Sequence, residues 1–206
     1  MEVRQYIINE ADKLFGQYGF KSVTMDDIAK HLGISKKTIY QHFVDKNDLV
    51  NVLMDARFES HDCEMKSYAE KGKDAVHEVF LALEDINEWL NTLNPKLFYD
   101  LQKYHPETWL KFKDFKEKSL TIGIANNLKR GIKEGVFRED INIEILTELR
   151  LAHSQIIFGQ YDHYTKNKYS IAQVMVAITQ HFLYGIVSLK GRELVEKYSN
   201  ELAKEN

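Results

Sequence analysis

An all-α fold is what this sequence predicts, and three observations predict it. Apolar residues recur at three- and four-residue spacing along nearly the whole chain, the period of helices with one buried face. Only two prolines and ten glycines occur in 206 residues, with Leu, Ile, Lys and Glu abundant, and strands find little support anywhere. Three helix starts within about two dozen residues repeat one capping grammar. About nine helices follow, the short ones first and the longer ones after, with no internal repeat.

The first helix is expected from Val3 to Tyr18, with Tyr6-Ile7, Ala11, Leu14-Phe15 and Tyr18 on one face and Gly19 ending it. Thr24 then caps a second, with Asp27 three residues on to reach back and Val23 to pack on Ile28. Gly33 stops that helix, because glycine takes the left-handed conformation at no steric cost. Ser35 opens a third helix with Ile34 and Ile39 as its staple, reaching to Phe43. Asp45 opens a fourth with Val44 and Leu49, continued by Val50, Leu53, Met54 and Phe58. Helices this short survive only by packing on each other. No Pro/Gly/Ser-rich linker follows, so the fourth helix is expected to join the first part stiffly to the rest, up to a break around Ala69–Lys73.

The pattern restarts from Asp74 to about Leu93 through Val76, Val79-Phe80, Leu83, Ile86 and Leu90. Asn94-Pro95 and His105-Pro106 each place proline where a starting helix loses no bond. The first opens a helix with Leu97-Phe98, Leu101 and Tyr104, the second a long one through Trp109, Phe112, Leu120 and Leu128, ended by Gly131 and Gly135. Asn142 caps a helix with Ile145-Leu146, Leu149, Ala152-His153, Ile156-Ile157 and Gln160-Tyr161. Ser170 caps the last, with Val174, Ile178, Phe182, Ile186 and Leu189 on one stripe.

Composition narrows the function classes. At 44% apolar and 29% charged the chain reads as an ordinary globular protein. One cysteine, Cys63, rules out an internal disulfide framework and fits a reducing cytoplasm. Met1–Phe15 carries Glu2, Arg4, Glu10, Asp12 and Lys13 and so lacks a signal peptide's apolar core. Ala172–Leu189 is 18 residues without a formal charge, but Gln173, Thr179, Gln180, His181 and Ser188 favour a buried or interfacial helix over a membrane span. No glycine-rich phosphate loop, paired-cysteine spacing or nucleophile elbow supports an enzyme, and no cofactor or metal is expected. His61-Asp62-Cys63 are adjacent on a helix and point in different directions, a poor arrangement for a metal.

The formal net charge is −3, yet residues 30–46 hold four lysines against one aspartate, a local balance of +3. The third helix buries Ile39 and Phe43 and leaves Lys36, Lys37, Thr38, Tyr40, Gln41 and His42 outward: cations and hydrogen-bonding groups with no acid. Such a face suits a major groove and its flanking phosphates.

Residues 7–50 supply Ile8, Ala11, Leu14-Phe15, Gly19, Thr24, Asp27-Ile28-Ala29, Leu32-Gly33-Ile34-Ser35-Lys36, Thr38, Tyr40, His42-Phe43, Lys46 and Leu49. In order and spacing this stretch resembles the N-terminal domain of the TetR family of bacterial transcriptional repressors. The likeness covers the first quarter of the chain and is loose beyond residue 60. It implies a three-helix helix-turn-helix DNA-binding domain over residues 1–48 and a helical ligand-binding and dimerisation domain over 49–206. It further implies a cytoplasmic homodimer on a pseudo-palindromic site in double-stranded DNA, repressing until a small-molecule effector binds. The DNA contacts expected are Thr24, Lys36, Lys37, Thr38, Tyr40, Gln41, His42 and Lys46, with Thr38 and Gln41 reading base edges and Lys46 clamping a phosphate at a helix N-terminus. Trp89, Phe98, Tyr99, Tyr104, Trp109, Phe112 and His153 are expected to line an effector cavity that takes an apolar or aromatic-compatible molecule. Ile156, Tyr161, Val174, Ile178 and Phe182 are expected at the dimer interface. The alternative is a helical carrier or enzyme that keeps the scaffold without binding DNA.

Overall fold

Helices α1 (Val3–Tyr18), α2 (Met25–Leu32), α3 (Lys36–Tyr40), α4 (Lys46–Lys71), α5 (Ala75–Thr92) and α6 (Leu97–Tyr104) come first in the computed structural model. They are followed by α7 (Pro106–Phe115), α8 (Thr121–Lys133), α9 (Ile143–Gly159), α10 (Ile171–Ile186) and α11 (Leu189–Glu205). The structure describes residues 2–92, 97–159 and 169–205, with backbone alone at 61–62, 89–92, 116, 154–159 and 203–205. A π-helical turn at Lys116–Leu120 joins α7 to α8, so Pro106 to Lys133 is one helical run, as the apolar spacing predicts. Counted that way, ten helices stand among the described residues, against about nine expected. Among the described residues the only β pairing is one isolated antiparallel bridge, Phe137 to Val187. No helix among them is long and apolar enough to cross a membrane.

The chain forms two compact units, Met1–His61 with Thr92–Phe115, and Asp62–Asn91 with Lys116–Asn206. In the first, α1 to α3 close over Ile7, Phe15, Phe20, Ile28, Ile39 and Phe43, all essentially without solvent contact. Burial of each such side chain stabilises the unit by roughly 2–3 kcal/mol. Helices α6 and α7 belong to this unit and are pinned to it by polar contacts. The buried Asp100 carboxylate accepts the Lys21 backbone N–H at 2.8 Å. Thr108 donates to Asn51 of α4, and Lys111 pairs with Asp55 at 2.7 Å. A side chain at Gly19 would come within 2.9 Å of the Asp100 carboxylate, so the turn after α1 has room only for glycine.

The second unit is built on Val76, Phe80, Leu83, Leu128, Phe137, Met175, Leu183, Ile186, Val195 and Tyr198. Arg130 of α8 ties its corner: it donates to the carbonyls of Ala69 and Gly72, and pairs with Glu78 at 3.0 Å and Glu134 at 2.6 Å. Glu134 in turn accepts the first N–H of α5, from Ala75, at 2.8 Å.

Two boundaries differ from expectation. Helix α3 ends at Tyr40 and Phe43 reaches the core from a turn, because the Gln41 and His42 N–H groups bond back to Lys37 and Ile39. The last long helix does not run to Leu189. It stops at Ile186, where Val187 becomes extended and the Arg138 and Ser188 N–H groups bond to the carbonyls of Ile186 and Val136. Ser188 then caps a further helix through the Gly191 N–H at 3.1 Å, and Val195, Tyr198 and Leu202 of that helix are buried.

Candidate nucleic-acid interface

The two-helix segment is fixed by its caps. Thr24 Oγ1 accepts the Asp27 N–H at 3.2 Å and donates to the Asp27 carboxylate at 2.6 Å, while that carboxylate accepts the Thr24 N–H at 2.9 Å. The hydrogen bonds from Thr24 hold the Asp27 carboxyl below its usual range. Gly33, at φ 65°, returns its N–H to the last carbonyls of α2. Ser35 Oγ accepts the Thr38 N–H at 3.1 Å to start α3. The register of the face that follows is therefore set locally, before any tertiary contact.

Ile39 turns fully inward, and Lys36, Lys37, Tyr40 and Gln41 are exposed, Tyr40 at 45%. No acid lies on α3 itself. The nearest is Asp26 on α2, which holds the Lys36 ammonium at 2.8 Å while that ammonium sits 6.0 Å from the Tyr40 ring centroid. An ion pair this exposed is worth little and exchanges readily for a phosphate. Thr38 is half-buried, its hydroxyl shared with Ser35 at 2.8 Å, and His42 is half-buried beside it. Thr24 is exposed but spends its hydroxyl on the cap.

Lys46 departs from the expected clamp. Its ammonium points inward, donates to the Phe20 carbonyl and lies 5.9 Å from the Phe15 ring centroid. Burial lowers its pKa, with Asp100 and Asp27 acting the other way. The N-terminus of α4 is already occupied: Asp45 accepts the Asp48 N–H and Asp48 accepts the Val44 N–H, both at 2.9 Å. Two carboxylates at that helix end disfavour a phosphate there.

The expected effector residues divide. Phe98, Trp109 and Phe112 cluster in the first unit, with ring centroids 5.4 to 5.6 Å apart along Trp109–Phe112–Phe98, and Phe58 stacks on Phe112 and Phe115. Their faces are turned on one another as core. Tyr99 is exposed and accepts from Lys103 at 3.0 Å, and Tyr104 lies under Lys21 and Lys103. His153 belongs to the second unit, edge-on to Phe182. The Trp89 side chain lies outside the described residues. Of the expected interface residues, Val174 and Ile178 are half-exposed, whereas Phe182 is 7% exposed and sits in its own unit's core. Tyr161 and the Ile156 side chain lie outside the described residues.

Sequence reasoning missed Arg150. It is a cation on the same stripe as Leu146 and His153, at the four- and three-residue spacings that put all three on one helix face. A lone charge on an apolar stripe was the signal. The guanidinium donates to Thr179 at 2.9 Å, and burial pushes its pKa down to about 10.

Residues 7–53 match the family model described as bacterial regulatory proteins, tetR family. Over 183 residues the chain is 25% identical to the HTH-type transcriptional regulator YvaF of Bacillus subtilis, covering 88% of this chain and 94% of that protein. Among solved structures it resembles a transcriptional regulator from Cytophaga hutchinsonii, 25% identical with a TM-score of 0.66 over 89% of this chain and 98% of that one. It also resembles a TetR-family regulator from Agrobacterium tumefaciens, 20% identical with a TM-score of 0.72 over 90% of this chain and 97% of that one.

Proposed function

Because the chain is a TetR-family transcriptional regulator with a helix-turn-helix domain, we propose that it is a repressor that binds a pseudo-palindromic operator as a homodimer. A small molecule bound in the second unit releases it, acting in the cytoplasm where the DNA is. The observation that carries the DNA reading is the wet face of α3: Lys36, Lys37, Tyr40 and Gln41 exposed around a buried Ile39, with no acid on the helix. Lys36, Lys37 and the Tyr40 hydroxyl contact phosphates, and Gln41 pairs with a base edge, for which adenine is the best match. Thr38 and His42, half-buried, assist from the rim, and Thr24 holds α2 in place. Effector release requires the ligand to bind the DNA-competent and released conformations with different affinity.

Fluorescence anisotropy on duplexes tiling the DNA upstream of the gene, in a salt series with competitor, tests this reading. One tile is expected to bind preferentially, with affinity falling steeply as salt rises. Gln41→Ala should change which base is preferred at one position of each half-site. A chain that binds every tile alike, and whose Lys37→Ala/Gln41→Ala double variant binds as the parent does, would not be a sequence-specific regulator.

A further inference from the structure

In the second unit, α9 and α10 bring together two basic groups that no carboxylate among the described residues neutralises. Arg150 Nη2 donates to Thr179 Oγ1 at 2.9 Å, and the guanidinium carbon lies 5.4 Å from the Phe182 ring centroid. Its other terminal nitrogen, Nη1, is buried with no hydrogen-bond partner. One turn along α9, His153 stands edge-on to the same ring, centroids 6.1 Å apart at 89°, and its Nδ1 is likewise buried and unbonded. Thr179 has no solvent contact. The charges around the pair only add to the imbalance: burial lowers the His153 pKa first, and Arg150 and His181 lower it further. Among the described residues no carboxylate faces Arg150, whose pKa is lowered by burial alone.

A cation kept out of water without a counter-charge is a standing cost, and native chains satisfy nearly every buried donor. An orphan guanidinium donor and an orphan ring nitrogen, which donates in one imidazole tautomer, flank one aromatic ring and together complement a missing acceptor. Resting on the reading that the second unit takes an effector, we propose that this effector is an organic acid whose carboxylate is held by Arg150 and His153. Its two oxygens accept from Arg150 Nη1 and from the Nδ1–H of His153, while Thr179 fixes the guanidinium through Nη2. The rest of the molecule is apolar, because Phe182, the ring that both groups approach, belongs to the unit's core. A phosphate would bring a third oxygen and a second charge to a site where two buried nitrogens stand unpaired. Lysine at position 150 would supply charge without the planar fork that serves Thr179 and the ligand together.

Thermal unfolding of the full-length, ligand-free chain tests this, with octanoate and 4-phenylbutyrate as probes against octan-1-ol, 4-phenylbutan-1-ol and inorganic phosphate. The acids should raise Tm by several degrees with a saturable dose dependence, and the alcohols and phosphate should not. Arg150→Met should melt above the parent without ligand, because an uncompensated buried charge is gone, and should lose the distinction between acid and alcohol. His153→Gln should weaken acid binding by 10-fold or more. The proposal is overturned if acids and alcohols shift Tm equally, if phosphate matches the acids, or if Arg150→Met melts below the parent. That last result, joined to a loss of dimer by sedimentation, would assign Arg150 to a carboxylate of a second copy instead. Operator binding by the unmodified chain without ligand tests the regulator reading separately, so intact operator binding with no acid selectivity rejects the acid site alone.

Discussion

Thr24 and Asp27 hold each other through three hydrogen bonds, and the whole reading face hangs from that pair. Thr24→Ala should cost about 1 kcal/mol, measured by urea unfolding, with little change in m. The pH dependence follows from the lowered Asp27 pKa. A carboxylate with a depressed folded pKa contributes stability that is present above its unfolded pKa and lost as pH falls through the folded one. The gap between parent and Thr24→Ala should therefore be constant near neutrality and close in acid, below the ordinary carboxylate range. The lysines separate in the same way. Lys37→Ala should reduce the slope of log K against log salt by about 0.9, one phosphate contact. Lys46→Met should leave that slope alone and act on stability, since its ammonium serves the Phe20 carbonyl. Equal slopes for both variants would remove Lys37 from the phosphate contacts.

Helix α3 has five residues, too short to persist on its own, so its neighbours must fix it. Gly33 does so by backbone conformation alone: at φ 65° an added methyl meets nothing within 4 Å. Gly33→Ala should thus cost about 1 kcal/mol of left-handed strain with no repacking. Gly131 is the contrast, because an added methyl would lie 2.0 Å from the Phe137 ring. Gly131→Ala must displace that ring and should cost roughly 1–3 kcal/mol, by the same urea measurement. What the sequence showed at this scale was local. Caps at Thr24, Ser35, Asn142 and Ser170 all stand where the residues placed them. Helix α11 was missed: the spacing of Val195, Tyr198 and Leu202 carries a signal for it, but Val187-Ser188 has no proline or glycine to mark the break before it. That break is made by pairing with the Val136–Arg138 segment, a long-range event with no local signature. The inward turn of Lys46 was hidden for a similar reason, since Asp100 and Phe20, which draw it in, are distant in sequence or on another element.

At the scale of the molecule, one surface asks for a second copy. Helix α10 buries Ile171, Met175, Thr179, Phe182, Leu183 and Ile186 on one side. Its other side, Val174, Ala177, Ile178, His181 and Tyr184, repeats at helical spacing, carries no formal charge, and leaves Tyr184 48% exposed. On α9, Ile145 at 65% and Leu149 at 44% exposure continue the apolar character. An apolar helix face open to water marks an interaction surface, and a two-fold contact would use the same patch on both partners. Ala177 tests this well, because it is exposed and small and lies on the side of α10 away from the buried residues. In a two-fold dimer Ala177→Arg sets like charges across the axis and desolvates both. The variant should keep the parent's helical circular dichroism, sediment as a monomer, and bind operator at least about 100-fold more weakly, since each half-site must then be held alone. A variant that stays dimeric would move the interface off α10. A parent chain that sediments as a monomer would remove the paired reading heads on which recognition of a palindrome depends.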